Sequence, residues 1–453
     1  MRRREIIVKL SRRDFIRASS LTTALSALNW SALVKATGQA VREGLVNIVW
    51  FEAQDCAGNT TAVIQATDPS LLDVLLGTTP LVGPGTVRLI FHETVMPEWG
   101  TYYVKESTDP ADEKMLERYV PNQPPPGNAM KILEEIAEGK HGPYVLVLEG
   151  SFPQEYGIPG SNIETKGGYY CVVGHKNCTN WVKVLAKNAL AIVAVGNCAS
   201  YGGVVANKVL EPPPGFKYPT WSQSPTGAIG LFDDPFRGIK GMIHQDYFQP
   251  EIEPFRKYID EGGVPDLKTT KPAIAVPGCP ANGNGIVRTL ALVTLVAAGL
   301  LKPDVLDRRA FLDEYGRPRF IYEHTVHEQC PRAAWYAVGD FRSNPGAGDA
   351  KCLYGVGCKG PISNCPWNKV GWVSGIGGPT RTGAVCIGCT MPGFTDSFEP
   401  FYAKLPYVPI STKQLTDIAV ATATAIGVAA AAGGAWAGFR SRTEKRGKEE
   451  TKQ

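Results

Sequence analysis

Short, almost uninterrupted apolar runs recur along the first two thirds of the chain. They are "VNIVWF" (46–51), "TVRLIFHE" (86–93), "YVLVLEG" (144–150), "LAIVAVG" (190–196) and "PAIAVPG" (272–278). Val, Ile and Leu follow one another in them instead of alternating with polar residues. That pattern marks strands buried on both faces, as in a parallel sheet. Helical patterns over Asn128–Gly139 and Trp181–Leu190 fall between the runs and predict crossover helices. The expected fold class is therefore α/β, and in such sheets ligands gather beyond the carboxyl ends of the strands.

Three of the predicted strands lead directly into a cysteine: Cys56 after the first, Cys198 in "VGNCAS" and Cys279 in "VPGCPAN". A single cysteine after a strand is ordinarily a small buried hydrophobe. Three of them in Gly-, Pro- or Asn-containing turns at one sheet edge converge on a point, and thiolates favour zinc or iron–sulfur. After Lys302-Pro303 the periodicity stops, and Gly, Pro and Cys fill "HEQCPRAAWYAVGDF", "KCLYGVGCKGPISNC" and "RTGAVCIGCTMPGF". His327, Cys330, Cys352, Cys358, Cys365, Cys386 and Cys389 supply further donors there. A stretch with so little periodic apolar sequence needs cross-links, and bound metal provides them. One zinc site would use a histidine and three of these cysteines and leave the rest idle. Iron–sulfur clusters give each a role.

Composition is that of an ordinary globular protein, with 43% hydrophobic and 20% charged residues in 453. The net charge of +4 gives no reason to expect a nucleic-acid partner. Basic residues crowd both ends, and each cluster flanks an apolar stretch. Arg12-Arg13 in "SRRDFI" precede a mild apolar run from Leu21 to Val34, the pattern of a twin-arginine (Tat) export signal. Ile418 to Phe439 carries no charge and is long enough to span a bilayer. Arg440, Arg442, Lys445, Arg446 and Lys448 follow it and would stay cytoplasmic. The two ends thus agree on a body facing the extracytoplasmic (periplasmic) side of the cell membrane, held by a single C-terminal anchor. An exported chain with 11 cysteines invites a disulfide reading, but their placement favours metal.

Together "FHETVM", "YYCVVGHK", "VGNCAS", "VPGCP", "HEQCPR", "CLYGVGCKGP" and "CIGCTMPGF" resemble the small subunit of a membrane-bound, Tat-exported nickel–iron hydrogenase, from about Val46 to Phe401. The resemblance implies a Tat signal region (1–45), a flavodoxin-like domain carrying a proximal cluster (46–300) and an iron–sulfur domain carrying medial and distal clusters (301–410). A transmembrane anchor (415–439) and a basic cytoplasmic tail (440–453) complete it. It also implies two 4Fe–4S clusters and one 3Fe–4S cluster. The distal 4Fe–4S set maps onto His327, Cys330, Cys352 and Cys358. The medial 3Fe–4S set maps onto Cys365, Cys386 and Cys389, with Pro379 where a fourth cysteine would stand. Losing that thiolate should raise the medial potential.

The proximal 4Fe–4S set maps onto Cys56, Cys198 and Cys279, while most relatives have a fourth cysteine at the position of Asn59. Some have aspartate there. Asn59 either binds weakly through its amide or leaves the position to water, with Asp55 and Cys178 as alternative donors and a three-cysteine cluster as the remaining reading. Oxygen-tolerant relatives with a modified proximal cluster carry extra cysteines at positions that are Gly58 and Gly203 here, so that mechanism is not expected. Cys171 matches a family position that is not a ligand, which suggests packing, and a Cys171–Cys178 disulfide is the alternative. Glu52, Glu93 and Glu149 near the proximal strand ends are expected to serve hydrogen bonding, with proton handling as the lesser role.

The implied activity is H2 oxidation at a nickel–iron centre in a partner large subunit. This chain would pass the electrons to a membrane acceptor, either cytochrome b-like or another quinone-linked subunit. Its histidines are His92, His141, His175, His244, His324 and His327, so the apolar stretch has no imidazole to offer a haem. A zinc- or cluster-stabilised exported binding protein without redox role is the main alternative. A quinone-reductase subunit with one cluster is another, and the sequence from His327 onward argues against it.

Overall fold

The computed structural model describes residues 46–404, apart from 68–69, 72–88, 97, 99–101, 104–117, 120–127, 155–169, 175, 209–223, 225, 300, 347 and 374. The expected signal region, anchor and tail lie outside the described residues. Lys404 ends the compact unit to which these residues belong.

All five predicted strands form: β1 (Asn47–Glu52), β2 (Leu89–His92), β3 (Tyr144–Glu149), β4 (Ala189–Val195) and β5 (Ala273–Val276). They make one sheet in the order β2-β1-β3-β4-β5, with every neighbouring pair parallel. That is the flavodoxin-like order, which reverses direction between β1 and β3. Ile48, Trp50, Val145, Val147, Val193, Val195, Ile274 and Val276 belong to one core, and Val49, Phe51, Leu146, Leu148, Ile192, Ala194 and Ala275 to the other. Successive residues point to opposite faces, and both faces are covered, which explains the unbroken apolar runs.

Six helices flank the sheet or carry site residues: α1 (Gly58–Ile64), α2 (Ala129–Ala137), α3 (Cys178–Asn188), α4 (Gly196–Tyr201), α5 (Glu253–Glu261) and α6 (Gly283–Ala297). Asn128, Asn177 and Asn282 cap α2, α3 and α6 by accepting from free N–H groups of the first turn. Helix α6 is buried nearly all round and lies in the first core. The same core takes in Leu312, Ile321, Tyr322, Leu353, Cys358, Cys365, Trp367 and Cys386. The cysteine-rich C-terminal part is therefore packed onto the α6 side of the sheet. Its described residues form only short helices, such as Arg308–Phe311, Arg319–Tyr322, Ala333–Ala337 and Trp367–Val370, joined by turns.

A small antiparallel hairpin, Val172–Val173 with Lys176–Asn177, leads into α3. It brings Cys171 and Cys178 into a disulfide, with Cα atoms 5.4 Å apart. This corrects two expectations. Cys171 is covalently paired and not merely packed, and Cys178, fully buried in that bond, is no donor to the proximal set. No helix among the described residues is long and apolar enough to cross a membrane.

Candidate functional site

The proximal cysteines sit where the sheet topology puts them. Cys56 follows β1, Cys198 lies in α4 directly after β4, and Cys279 lies in the turn after β5. Their thiols are close enough to repel one another as thiolates: Cys198 is opposed by both Cys279 and Cys56, and Cys279 by Cys56. Burial, more than this repulsion, pushes the Cys198 thiol up to about 12. Cys56 and Cys279 are exposed, so the set opens at the surface. Two glycines lie against its sulfurs. A Cβ on Gly203, which has φ +56°, would come within 2.5 Å of Cys198 Sγ, and one on Gly58 within 3.0 Å of Cys56 Sγ.

Asn59 is buried and already engaged. Its Oδ1 accepts from the Ala281 N–H at 2.8 Å, and its amide lies over Gly196 so closely that a Cβ there would meet Nδ2 at 2.4 Å. The side chain thus ties the β1 turn to the turns that carry Cys198 and Cys279. Coordinating a metal through Oδ1 would take the lone-pair side now used by Ala281. Asp55 Oδ2 accepts from the Ala57 N–H at 2.5 Å.

Glu149, fully buried at the end of β3, accepts from Trp50 Nε1 (2.9 Å), Asn59 N (2.8 Å), Thr60 N (3.2 Å) and Thr60 Oγ1 (2.5 Å). It anchors the first turn of α1 to the sheet, the hydrogen-bonding role expected for it. Glu52 accepts from Thr94 Oγ1 at 2.7 Å, and Glu93 Oε2 accepts from the Glu52 N–H at 2.9 Å. Glu52, Asp55 and Glu149 bring carboxylate oxygens within 4.8 Å of one another. Burial, aided by this like charge, raises Glu52 and Asp55.

The medial candidates come together in the interior. Cys365 and Cys389 repel each other, as do Cys386 and Cys389, and burial pushes Cys365 and Cys389 up to about 12. Backbone N–H groups near these sulfurs partly offset the rise, those of Trp367 and Asn368 at Cys365 and that of Gly388 at Cys386. Pro379 lies just before Thr380, whose hydroxyl is 3.1 Å from Cys330 Sγ. The distal candidates His327, Cys330, Cys352 and Cys358 line a single small cavity, closed by Val326, Leu353, Tyr354 and Arg332. Burial lowers the His327 imidazole and so favours the neutral form, the one that can act as a ligand. Arg332 N donates to Cys330 Sγ and Tyr354 N to Cys352 Sγ, both at 3.4 Å.

The donor chemistry fits iron–sulfur clusters. Thiols that burial holds protonated become thiolates when metal enters, and N–H···S contacts are the protein's usual means of tuning such clusters. The three sets also adjoin. The Lys359 N–H, beside distal Cys358, donates to medial Cys386 O at 2.8 Å. Asn197, beside Cys198, donates through Nδ2 to Cys389 O (2.9 Å) and Met391 O (2.8 Å). Sequence reasoning missed Asn197. A buried asparagine inside a cysteine motif was the only sign of it.

Comparison with known proteins identifies the family. The family model for the C-terminal part of the NiFe/NiFeSe hydrogenase small subunit matches residues 322–402, and "NADH ubiquinone oxidoreductase, 20 Kd subunit" matches residues 56–293. The "F420 non-reducing hydrogenase I small subunit" of Methanosarcina mazei is 30% identical over 434 residues, covering 94% of this chain and 92% of that protein. The "Periplasmic [NiFe] hydrogenase small subunit" of Solidesulfovibrio fructosivorans is 27% identical, covering 87% and 93%. Among solved structures, an actinobacterial-type NiFe-hydrogenase from Ralstonia eutropha aligns with a TM-score of 0.55 and 27% identity over 84% of this chain and 90% of that one. With its parallel sheet, its C-terminal cysteine-rich part and these relatives spanning nearly its whole length, the chain belongs to the small subunits of nickel–iron hydrogenases.

Proposed function

We propose that this small subunit relays electrons from H2 oxidation, at the nickel–iron site its family carries on the large subunit, to a membrane acceptor of an uptake hydrogenase. The observation that carries the reading is the serial adjacency of the three donor sets, proximal to medial through Asn197 Nδ2, beside Cys198, on Cys389 O (2.9 Å), and medial to distal through the Lys359 N–H, beside Cys358, on Cys386 O (2.8 Å). Bound iron–sulfur clusters would supply one-electron carriers at each set. His327, Cys330, Cys352 and Cys358 would hold a distal 4Fe–4S cluster, and Cys365, Cys386 and Cys389 a medial 3Fe–4S cluster. Cys56, Cys198 and Cys279 would hold the proximal cluster, with Asn59 as the candidate fourth donor. The exposed edge at Cys56 and Cys279 faces outward, as a large-subunit docking face requires.

One observation supports an extracytoplasmic body. A disulfide between the two cysteines outside the donor sets suits an oxidising compartment. A cytochrome b-like or other quinone-linked subunit fits as acceptor, with the haem ligands coming from that partner.

The test separates relay from chemistry. His327→Ala in the purified complex should cut H2-driven acceptor reduction by more than about tenfold while leaving H2/D2O isotope exchange at the large subunit within about twofold. Equal loss of both activities would contradict a relay-only role.

A further inference from the structure

Arg317 is a fully buried cation outside every cysteine motif, with 1% of its surface exposed. Its Nε donates to Asp313 Oδ2 at 2.7 Å. Nη1 donates to Thr390 O at 3.1 Å and Met391 Sδ at 3.0 Å, and Nη2 to Asn364 Oδ1 at 3.2 Å. Thr390 and Met391 directly follow Cys389, and Asn364 directly precedes Cys365. One guanidinium thus grips both loops that bear the medial thiols. The Tyr315 and Tyr322 rings flank it at 4.9 and 5.3 Å and shut out water. Asp313 is fixed in turn, its Oδ1 accepting from the N–H groups of Tyr315 and Arg317, each at 2.9 Å.

The orientation of this pair matters more than its net charge. The carboxylate sits at the Nε edge, and the two amino groups point toward the medial loops. In a dry interior such a pair acts as a fixed dipole with its positive end at the sulfurs, unscreened by salt. We propose that Arg317 is the positioning and potential-setting residue of the medial set. It holds the Cys365 and Cys389 loops together and favours the reduced, more negative state of the cluster bound there. Lysine, a single compact ammonium, cannot span acceptors on both loops and Asp313 at once.

The inference rests on the medial cluster of the proposed relay, and the experiment tells the two apart. The heterodimer would be purified anaerobically as wild type, Arg317→Gln, Arg317→Lys and Asp313→Asn. Iron would be counted, and each EPR signal titrated against potential. The expected result is a medial midpoint that falls in Arg317→Gln, falls less in Arg317→Lys and rises in Asp313→Asn, while the other midpoints stay in place. The opposite signs are the discriminating feature, because a merely structural role would move both charge variants the same way or neither. An intact medial signal with an unmoved midpoint in Arg317→Gln overturns the inference, as does loss of that signal from all three variants. Absence of a 3Fe-type signal from the wild type would instead overturn the medial assignment itself.

Discussion

Asn59 offers a perturbation whose size follows from the structure. Asn59→Ala removes the acceptor of the Ala281 N–H and leaves that donor buried without a partner, at a cost of about 1–3 kcal/mol. Because the bond spans the turns that carry the proximal cysteines, the loss should appear as local opening of the Cys279 turn. About 1–3 kcal/mol corresponds to roughly 5- to 150-fold faster amide exchange there, read by hydrogen–deuterium exchange on the peptide containing Ala281. Asn59→Asp keeps an acceptor at the same place and should retain most of the protection. Gly196→Ala attacks the contact from the other side, since its Cβ would meet three atoms of the Asn59 amide at 2.4–2.8 Å. The φ of +82° at that position adds about 1–2 kcal/mol for any residue with a Cβ. In the double variant the clash has no target, so the two effects should fall short of additivity by about 1–3 kcal/mol. Unchanged protection in Asn59→Ala, or strict additivity, would refute the view that Asn59 acts as a tie between turns.

Other consequences can be checked independently. Glu149→Gln replaces an acceptor of four donors with an amide that must direct its NH2 at some of them; the complex should lose about 2–4 kcal/mol, seen as earlier thermal release of iron. His244 sits between Asp233 and Asp260 at 2.9 and 3.0 Å, and the Asp233 carboxylate beside its Nδ1 is the chief cause of a pKa raised from 6.5 to about 9. Its stabilisation is full below pH 6.5 and lost as pH rises through about 9, so His244→Gln should lower Tm at pH 6 and leave it unchanged near pH 10. Selective reduction of Cys171–Cys178, or its Ser/Ser replacement, should raise exchange in the 170–178 hairpin and the first turn of α3 without lowering iron content, because neither thiol belongs to a donor set.

Much of the sheet could be read from the sequence because burial on both faces leaves only one kind of residue in a central strand. The runs at 144–150 and 190–196 became β3 and β4 with ends shifted by one residue. The convergence of Cys56, Cys198 and Cys279 followed from the same pattern, since parallel strands deliver their C-terminal turns to one edge. The signal fades where structure depends on contacts distant in sequence. Asn59 looked like a vacant ligand position, and only the fold shows its amide bound to Ala281, 222 residues away. Arg317 reads as a surface charge in "YGRPRF", and no periodicity shows that Thr390 and Asn364 close over it. The Cys171–Cys178 pair was within reach. Gly174 opens a two-residue connection between Val-Val and Lys-Asn, a hairpin signal that sets flanking residues opposite each other.

A three-cluster relay is tested most directly by anaerobic iron and labile-sulfide analysis of the intact complex combined with redox-titrated EPR. The expected result is about ten or eleven irons in this chain, with about twelve labile sulfides and a medial 3Fe-type signal beside 4Fe-type signals. Eleven would mean that Asn59 or an outside donor completes the proximal cluster, and ten that it stays three-coordinate. Stoichiometric zinc without labile sulfide would contradict the relay altogether.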